Sequence, residues 1–108
     1  PEGHPDGSTV DADGCVWNAE WGNGRVVRYR PDGSVERIVP VPVSNPSCIV
    51  LGGEGLDTLY VTSAQVGLSP EELALEVKAG GLFSVRFKDV RGLPEARWGA
   101  VQATSLAV

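Results

Sequence analysis

Two stretches of this chain repeat each other at a distance a little above 40 residues, and no other feature of the sequence limits the fold so strongly. Pro5-Asp6-Gly7 aligns with Pro46-Ser47-Cys48, and Cys15-Val16-Trp17-Asn18-Ala19 with Thr58-Leu59-Tyr60-Val61-Thr62, offsets of 41 and 43 residues. Gly24-Arg25-Val26-Val27-Arg28 aligns with Gly81-Leu82-Phe83-Ser84-Val85 at a larger offset, because QVGLSPEELALEVKAG is inserted into the second copy. Each copy is a series of short β-type runs: STVDA, CVWNAE, RVVRYR and SVERIVPV in the first, then SCIVLG, TLYVTSA, GLFSVRF and a weak ARWGA in the second. Four short strands per unit at this period is the spacing of a β-propeller blade. The expected fold is therefore all-β: antiparallel four-stranded meanders, with one blade over residues 1–43, a second over 44–100 and a tail over 101–108.

The turns agree with this. The 14 glycines and 8 prolines of the 108-residue chain are spread as punctuation between the runs and do not cluster in a low-complexity tract. The insertion carries a helix-start signal: Ser69 in a capping position, Pro70 after it and Glu72 three residues on, so a short helix is expected between Ser69 and Lys78, ended by Gly80-Gly81.

Charge and thiols narrow the possible partners. Nine Lys and Arg against 14 Asp and Glu give a net charge of −5, and the basic residues are scattered, which argues against nucleic acid. No run approaches the roughly 20 apolar residues of a membrane span, and PEGHPDG lacks the charged and apolar regions of a secretory leader. Cys15 and Cys48 lack the Cys-x-x-Cys spacing of a zinc site. The reading from these features is a cytoplasmic protein with two reduced thiols and no membrane or nucleic-acid partner.

Pro-Asp-Gly occurs twice, and its settings differ. Pro31-Asp32-Gly33 lies between two alternating apolar runs, where it supplies what a hairpin reversal needs. Pro5-Asp6-Gly7 opens directly onto a strand, so Asp6 requires another explanation. Asp11-Ala12-Asp13-Gly14 superficially matches a calcium loop, but the third acidic position, the distal glutamate and flanking helices are all missing; a strand-connecting turn fits better.

The ordered combination PDGSTVDADGCVWNAEWGNGRVVRYRPDG, GGEGLDTLYVTSA and GGLFSV resembles the C-terminal part of the regucalcin/gluconolactonase family, and within it the bacterial pentonolactonase-like members. The likeness runs through nearly the whole chain to about Trp98. It implies about two blades of a six-bladed propeller, a domain that hydrolyses sugar lactones with one divalent metal ion in its central channel. Of the family's metal ligands, the resemblance carries only the aspartate of the Pro-Asp-Gly motif onto this chain, at Asp6. The same residue is then the implied catalytic base, activating water beside the metal. Calcium, zinc, manganese and iron all suit such an oxygen-rich site.

Other residues have weaker claims. His4 is read as solvated, Trp17 and Tyr60 as packing between blades, and Trp21, Asn18 and Glu20 as lesser candidates for the channel rim. Three functions are compatible with these residues: a metal-dependent sugar lactonase, a non-catalytic two-blade structural or binding module, and a propeller hydrolase of a different ester. Two blades alone would expose apolar faces, so self-association is expected of the isolated chain.

Overall fold

The computed structural model describes residues 3–96 and 99. The elements run β1 His4–Val10, β2 Val16–Trp21, β3 Arg25–Tyr29, β4 Val35–Pro40, β5 Pro46–Gly52, β6 Thr58–Ser63, α1 Pro70–Leu75 and β7 Leu82–Arg86. They form two antiparallel meanders, β1-β2-β3-β4 and β5-β6-β7. Three of the five residues of the fourth strand expected at ARWGA, Arg97, Trp98 and Ala100, lie outside the described residues, as does the whole tail over 101–108.

The sequence repeat is a repeat of strand pairing. Pro5 pairs with Glu20 as Pro46 pairs with Ser63, and Val10 pairs with Val16 as Leu51 pairs with Leu59. The third alignment is corrected by one residue. Asn18 pairs with Val27 while its counterpart Val61 pairs with Phe83, so Phe83, not Ser84, stands where Val27 does. The reason is the two-residue period of a strand: a shift of one exchanges the faces. In the observed register Phe83 packs against the core between the sheets; at the position of Val26 it would face away from the first sheet.

That core is built from one face of each sheet. Trp17, Ala19 and Val26 of the first meet Ile49, Leu51, Leu59 and Val61 of the second, with Val90 closing one end. Trp17 is fully buried and its ring lies 5.3 Å from that of Phe87, so its reading as a packing residue holds. Alternation along the strands turns the remaining apolar residues outward: Val10, Val16, Val35 and Ile38 on the first sheet, Val50 and Leu82 on the second, all partly or largely exposed.

These two outward faces are complementary by the repeat itself. Tyr60 and Leu82 of the second sheet correspond to Trp17 and Val26 of the first, which are buried, while Val10 and Val16 correspond to the buried Leu51 and Leu59. A second copy added end to end would reproduce the internal interface, a head-to-tail contact that propagates until it closes. Sedimentation of the isolated 108 residues is therefore expected to show oligomers at micromolar concentration; a stable monomer would contradict this packing.

The inserted helix starts as its sequence dictates. Ser69 Oγ accepts from the Glu72 amide at 3.1 Å, and Glu72 Oε1 accepts from the Ser69 amide at 3.0 Å. It is shorter than the expected span to Lys78, because none of its residues is buried and a helix without a packed face does not propagate far. Glu76, just past its end, is instead tied to Ser44, accepting the backbone amide at 2.8 Å and the hydroxyl as well. No helix among the described residues is long and apolar enough to cross a membrane.

Candidate functional site

The first strand of each sheet carries a bulge near its start. Pro5 opposes Glu20 and Ser8 opposes Asn18, which leaves Asp6 and Gly7 facing Ala19 alone; Pro46 and Cys48 oppose the adjacent Ser63 and Thr62, leaving Ser47 over. The strand expected to begin at Ser8 thus begins at His4 and runs through the Pro-Asp-Gly motif. Proline is tolerated there because β1 is an edge strand, whose outer side needs no amide donor.

Gly7 has a packing function. A Cβ on it would lie 2.7 Å from Cys48 Cα and 2.9 Å from the Ser47 carbonyl oxygen, so the absence of a side chain is what lets β1 and β5 lie edge to edge. The second motif uses its glycine differently. Gly33 adopts φ 88°, as its turn requires, and a Cβ there would meet nothing within 4 Å, so its backbone conformation and not its size is what the position demands.

The two aspartates differ in the same way. Asp32 Oδ1 accepts from both the amide and the hydroxyl of Ser34, at 2.9 and 2.6 Å, and these bonds hold its carboxyl below the usual aspartate range. The Asp6 carboxylate is exposed and accepts no hydrogen bond from the described residues, while its backbone is fastened from behind. Asn18, on β2, donates from Nδ2 to the Asp6 carbonyl at 2.8 Å and to Ser8 Oγ at 2.7 Å, with a longer contact to the Gly7 carbonyl at 3.4 Å.

The other candidates sort by their partners. Asn18, His4, Pro5 and Glu20 line one groove with Asn23 and Arg25 on the outward face of the first sheet. Glu20 is buried there; burial alone would raise its carboxyl, but hydrogen bonds from Asn23 and Arg25, both at 2.9 Å, hold it below the usual value, so its charge is already answered. Trp21 is half-buried and His4 exposed.

Asp11 to Gly14 form the expected connecting turn, but Asp11 does far more than close it. It is 1% exposed. Its Oδ1 accepts the amides of Asp13 and Cys15, and its Oδ2 accepts Trp17 Nε1 and Arg28 Nε, both at 2.8 Å. Arg28 lies over the Trp17 ring and also reaches Asp13 and Glu36; Glu36 meets Arg37, which crosses to Asp89 beyond the last strand of the second sheet at 2.6 Å. An aspartate at a strand end carries no local sign of this role, since its partners converge from its own turn and from two other strands.

Among the described residues no group of three or more His, Cys, Asp or Glu is placed to hold a metal ion. Asp6 supplies one hard oxygen donor that accepts nothing from the described residues, which suits a divalent cation completed by ligands from elsewhere.

The SMP-30/gluconolactonase/LRE-like family model matches residues 1–65, more than half of the chain. This chain belongs to that family. An L-arabinolactonase from Azospirillum brasilense is 53% identical over 98 residues, covering 91% of this chain and 32% of its own length. A 6-deoxy-6-sulfogluconolactonase from Pseudomonas putida is 43% identical over 84 residues, covering 78% of this chain and 29% of the relative. The crystal structure of a regucalcin from Agrobacterium tumefaciens, described as calcium-binding, superposes with a TM-score of 0.79 at 35% identity, over 85% of this chain and 31% of that one. The chain thus spans about a third of the relatives it matches, and its two sheets are blades of the family's propeller.

Proposed function

We propose that these two blades belong to a metal-dependent sugar lactonase in which Asp6 is a metal ligand and the catalytic base. The observation that carries this reading is the contrast between the two Pro-Asp-Gly motifs: one aspartate is consumed by its own turn, the other accepts no bond from the described residues and stands on a bulged first strand whose backbone is held from behind. The lactonase relatives supply the reaction class.

Hydrolysis requires a water oxygen to attack the lactone carbonyl carbon, loss of that water's proton, and cleavage of the ring C–O bond with a proton delivered to the departing alkoxide. Asp6 takes the proton from water. Once protonated it is the acid that returns a proton to the ring oxygen, leaving an open hydroxy acid. A bound divalent cation supplies Lewis-acid polarisation of the carbonyl and lowers the cost of the developing negative charge. Asn18 and the Ser8 hydroxyl hold the Asp6 backbone, so only the side-chain torsions of the carboxylate remain to be set when substrate arrives.

A non-catalytic two-blade module is the competing reading, since Asp6 is the one member of the family's ligand set that the resemblance carries onto these residues. Assay of the protein carrying this chain against sugar lactones separates the two. Chelation is expected to remove hydrolysis and a divalent cation to restore it, while Asp32→Ala, a change in an exposed turn, leaves the rate within about twofold and the unfolding midpoint nearly unchanged. No lactone turnover by the folded, metal-supplied protein would favour the module.

A further inference from the structure

We infer that Asn18 is a positioning residue for Asp6, its side-chain amide replacing the ladder hydrogen bond that the β1 bulge forfeits and so fixing where the carboxylate stands. The inference rests on the reading of Asp6 as a metal ligand.

A bulge leaves an extra residue without a partner across the ladder, and a carbonyl there must find another donor or face water. Asp6 and Gly7 are the residues without a register partner of their own, and both of their carbonyls lie within reach of Asn18. Asn18 Nδ2 is the donor: 2.8 Å from the first, 3.4 Å from the second and 2.7 Å from Ser8 Oγ, in a residue only 8% exposed. Two carbonyl oxygens can accept only from the amide nitrogen, which settles the orientation of the amide. Asn18 follows the buried Trp17 and precedes the buried Ala19, so both strand neighbours are locked into the core between the sheets. Its own backbone pairs with Val27, which is fully buried. The amide therefore stands on a rigid strand and grips a bulged one.

The second blade solves the same problem with a different residue. At its bulge Thr62 Oγ1 donates to the Cys48 carbonyl at 3.3 Å, accepts from the Cys48 amide at 3.1 Å and lies 2.9 Å from Ser47 Oγ, reaching from β6 as Asn18 reaches from β2. Yet the repeat counterpart of Asn18 is Val61, an apolar core residue. A polar side chain at that position is thus no requirement of the blade. It is present in the blade that carries the unbonded aspartate and replaced by valine in the one whose corresponding residue is Ser47.

The chemical demand is for a donor, which makes the test sharp. Asn18→Asp keeps the size and removes the amide hydrogens, setting carboxylate oxygens against two carbonyls; Asn18→Ala removes donor and volume together. Each is compared with wild type and with Asp6→Ala in the whole protein that carries this chain, by Mn2+ titration followed by electron paramagnetic resonance and by thermal unfolding with chelator present. Mn2+ affinity is expected to fall about 10- to 100-fold in both Asn18 variants, the usual effect of removing a group that orients a ligand. With Mn2+ saturating, kcat should recover more than affinity does, because Asp6 itself remains; a purely structural defect would not separate the two. Wild-type Mn2+ affinity in a folded Asn18→Asp protein, alongside lost binding in Asp6→Ala, would overturn the positioning role while leaving Asp6 a ligand. Unchanged Mn2+ affinity in Asp6→Ala would overturn the reading of Asp6, and the inference with it. Should Asn18→Asp not fold, Asn18→Ala and Asn18→Ser give the same comparison, the serine hydroxyl restoring a donor and being expected to bind Mn2+ more tightly than alanine.

Discussion

Replacing Asp6 by alanine is expected to abolish lactone hydrolysis by the protein that carries this chain, with a fall in kcat/KM of about a thousandfold or more. Two losses coincide in that one change. A general base contributes roughly 10²- to 10⁴-fold, and removal of an anionic metal ligand weakens the cation on which carbonyl polarisation depends. Asp6→Asn separates them, since its amide oxygen still donates a lone pair but takes no proton from water. Metal binding should then persist in weakened form while turnover stays lost. The fold should tolerate both variants, because the Asp6 side chain is exposed and makes no hydrogen bond to a described residue. Stability measured beside activity checks this: a thousandfold loss with an unchanged unfolding midpoint is the expected pair of results, and retained turnover in Asp6→Ala would remove Asp6 from the chemistry.

The largest loss of stability is expected at Asp11. Asp11→Ala deletes the acceptor of four hydrogen bonds and leaves the Arg28 guanidinium and Trp17 Nε1 buried without it. Breaking a buried ion pair on one side costs about 3 to 5 kcal/mol, and the lower end applies because Arg28 keeps Asp13 and Glu36. Urea unfolding of the protein that carries this chain should report about 3 kcal/mol, a large share of the roughly 5 to 15 kcal/mol that holds a folded protein together. A loss below about 1 kcal/mol would show that the network is dispensable.

Asp11 also gives the protein an acid sensitivity. Burial alone would raise its carboxyl, but the hydrogen bonds from Trp17, Arg28, Cys15 and Asp13 outweigh burial and hold it below 3.8, the value of an ordinary aspartate. A carboxyl lowered in the folded state contributes stability that is complete above the unfolded value and lost as pH falls through the folded one. Wild type should therefore weaken steeply below about pH 4, and Asp11→Ala should show a shallower dependence over the same range.

The turn beside Asp11 also clamps the blades. The Ala12 amide donates to the Arg91 carbonyl at 2.8 Å, Asp11 bridges to Gly92, and Arg37 reaches Asp89. The clamp lies at the opposite end of β1 from Asp6, so damage there should cost stability before it costs chemistry.

Much of this was legible in the residues alone. Alternating runs, Gly and Pro at the turns and a period above 40 residues define all-β meanders, because strand periodicity and turn chemistry are local properties. The capping box of Ser69 and Glu72 is local too, and it forms as its residues dictate. The likeness of the Pro-Asp-Gly segment to a lactonase family singled out Asp6 from Asp32, although both tripeptides are identical. Other features depended on residues distant in the chain. The register of β7 followed from Phe83 packing into a core whose members from Trp17 to Val61 precede it by more than twenty residues. Gly7 is required by Cys48, Asn18 by a bulge it does not itself contain, and Asp11 by Trp17 and Arg28 arriving from two other strands. Short-range pattern determines which elements form, since backbone geometry and solvent exposure act residue by residue; which side chains become partners is decided only when the sheets pack and water is expelled from between them.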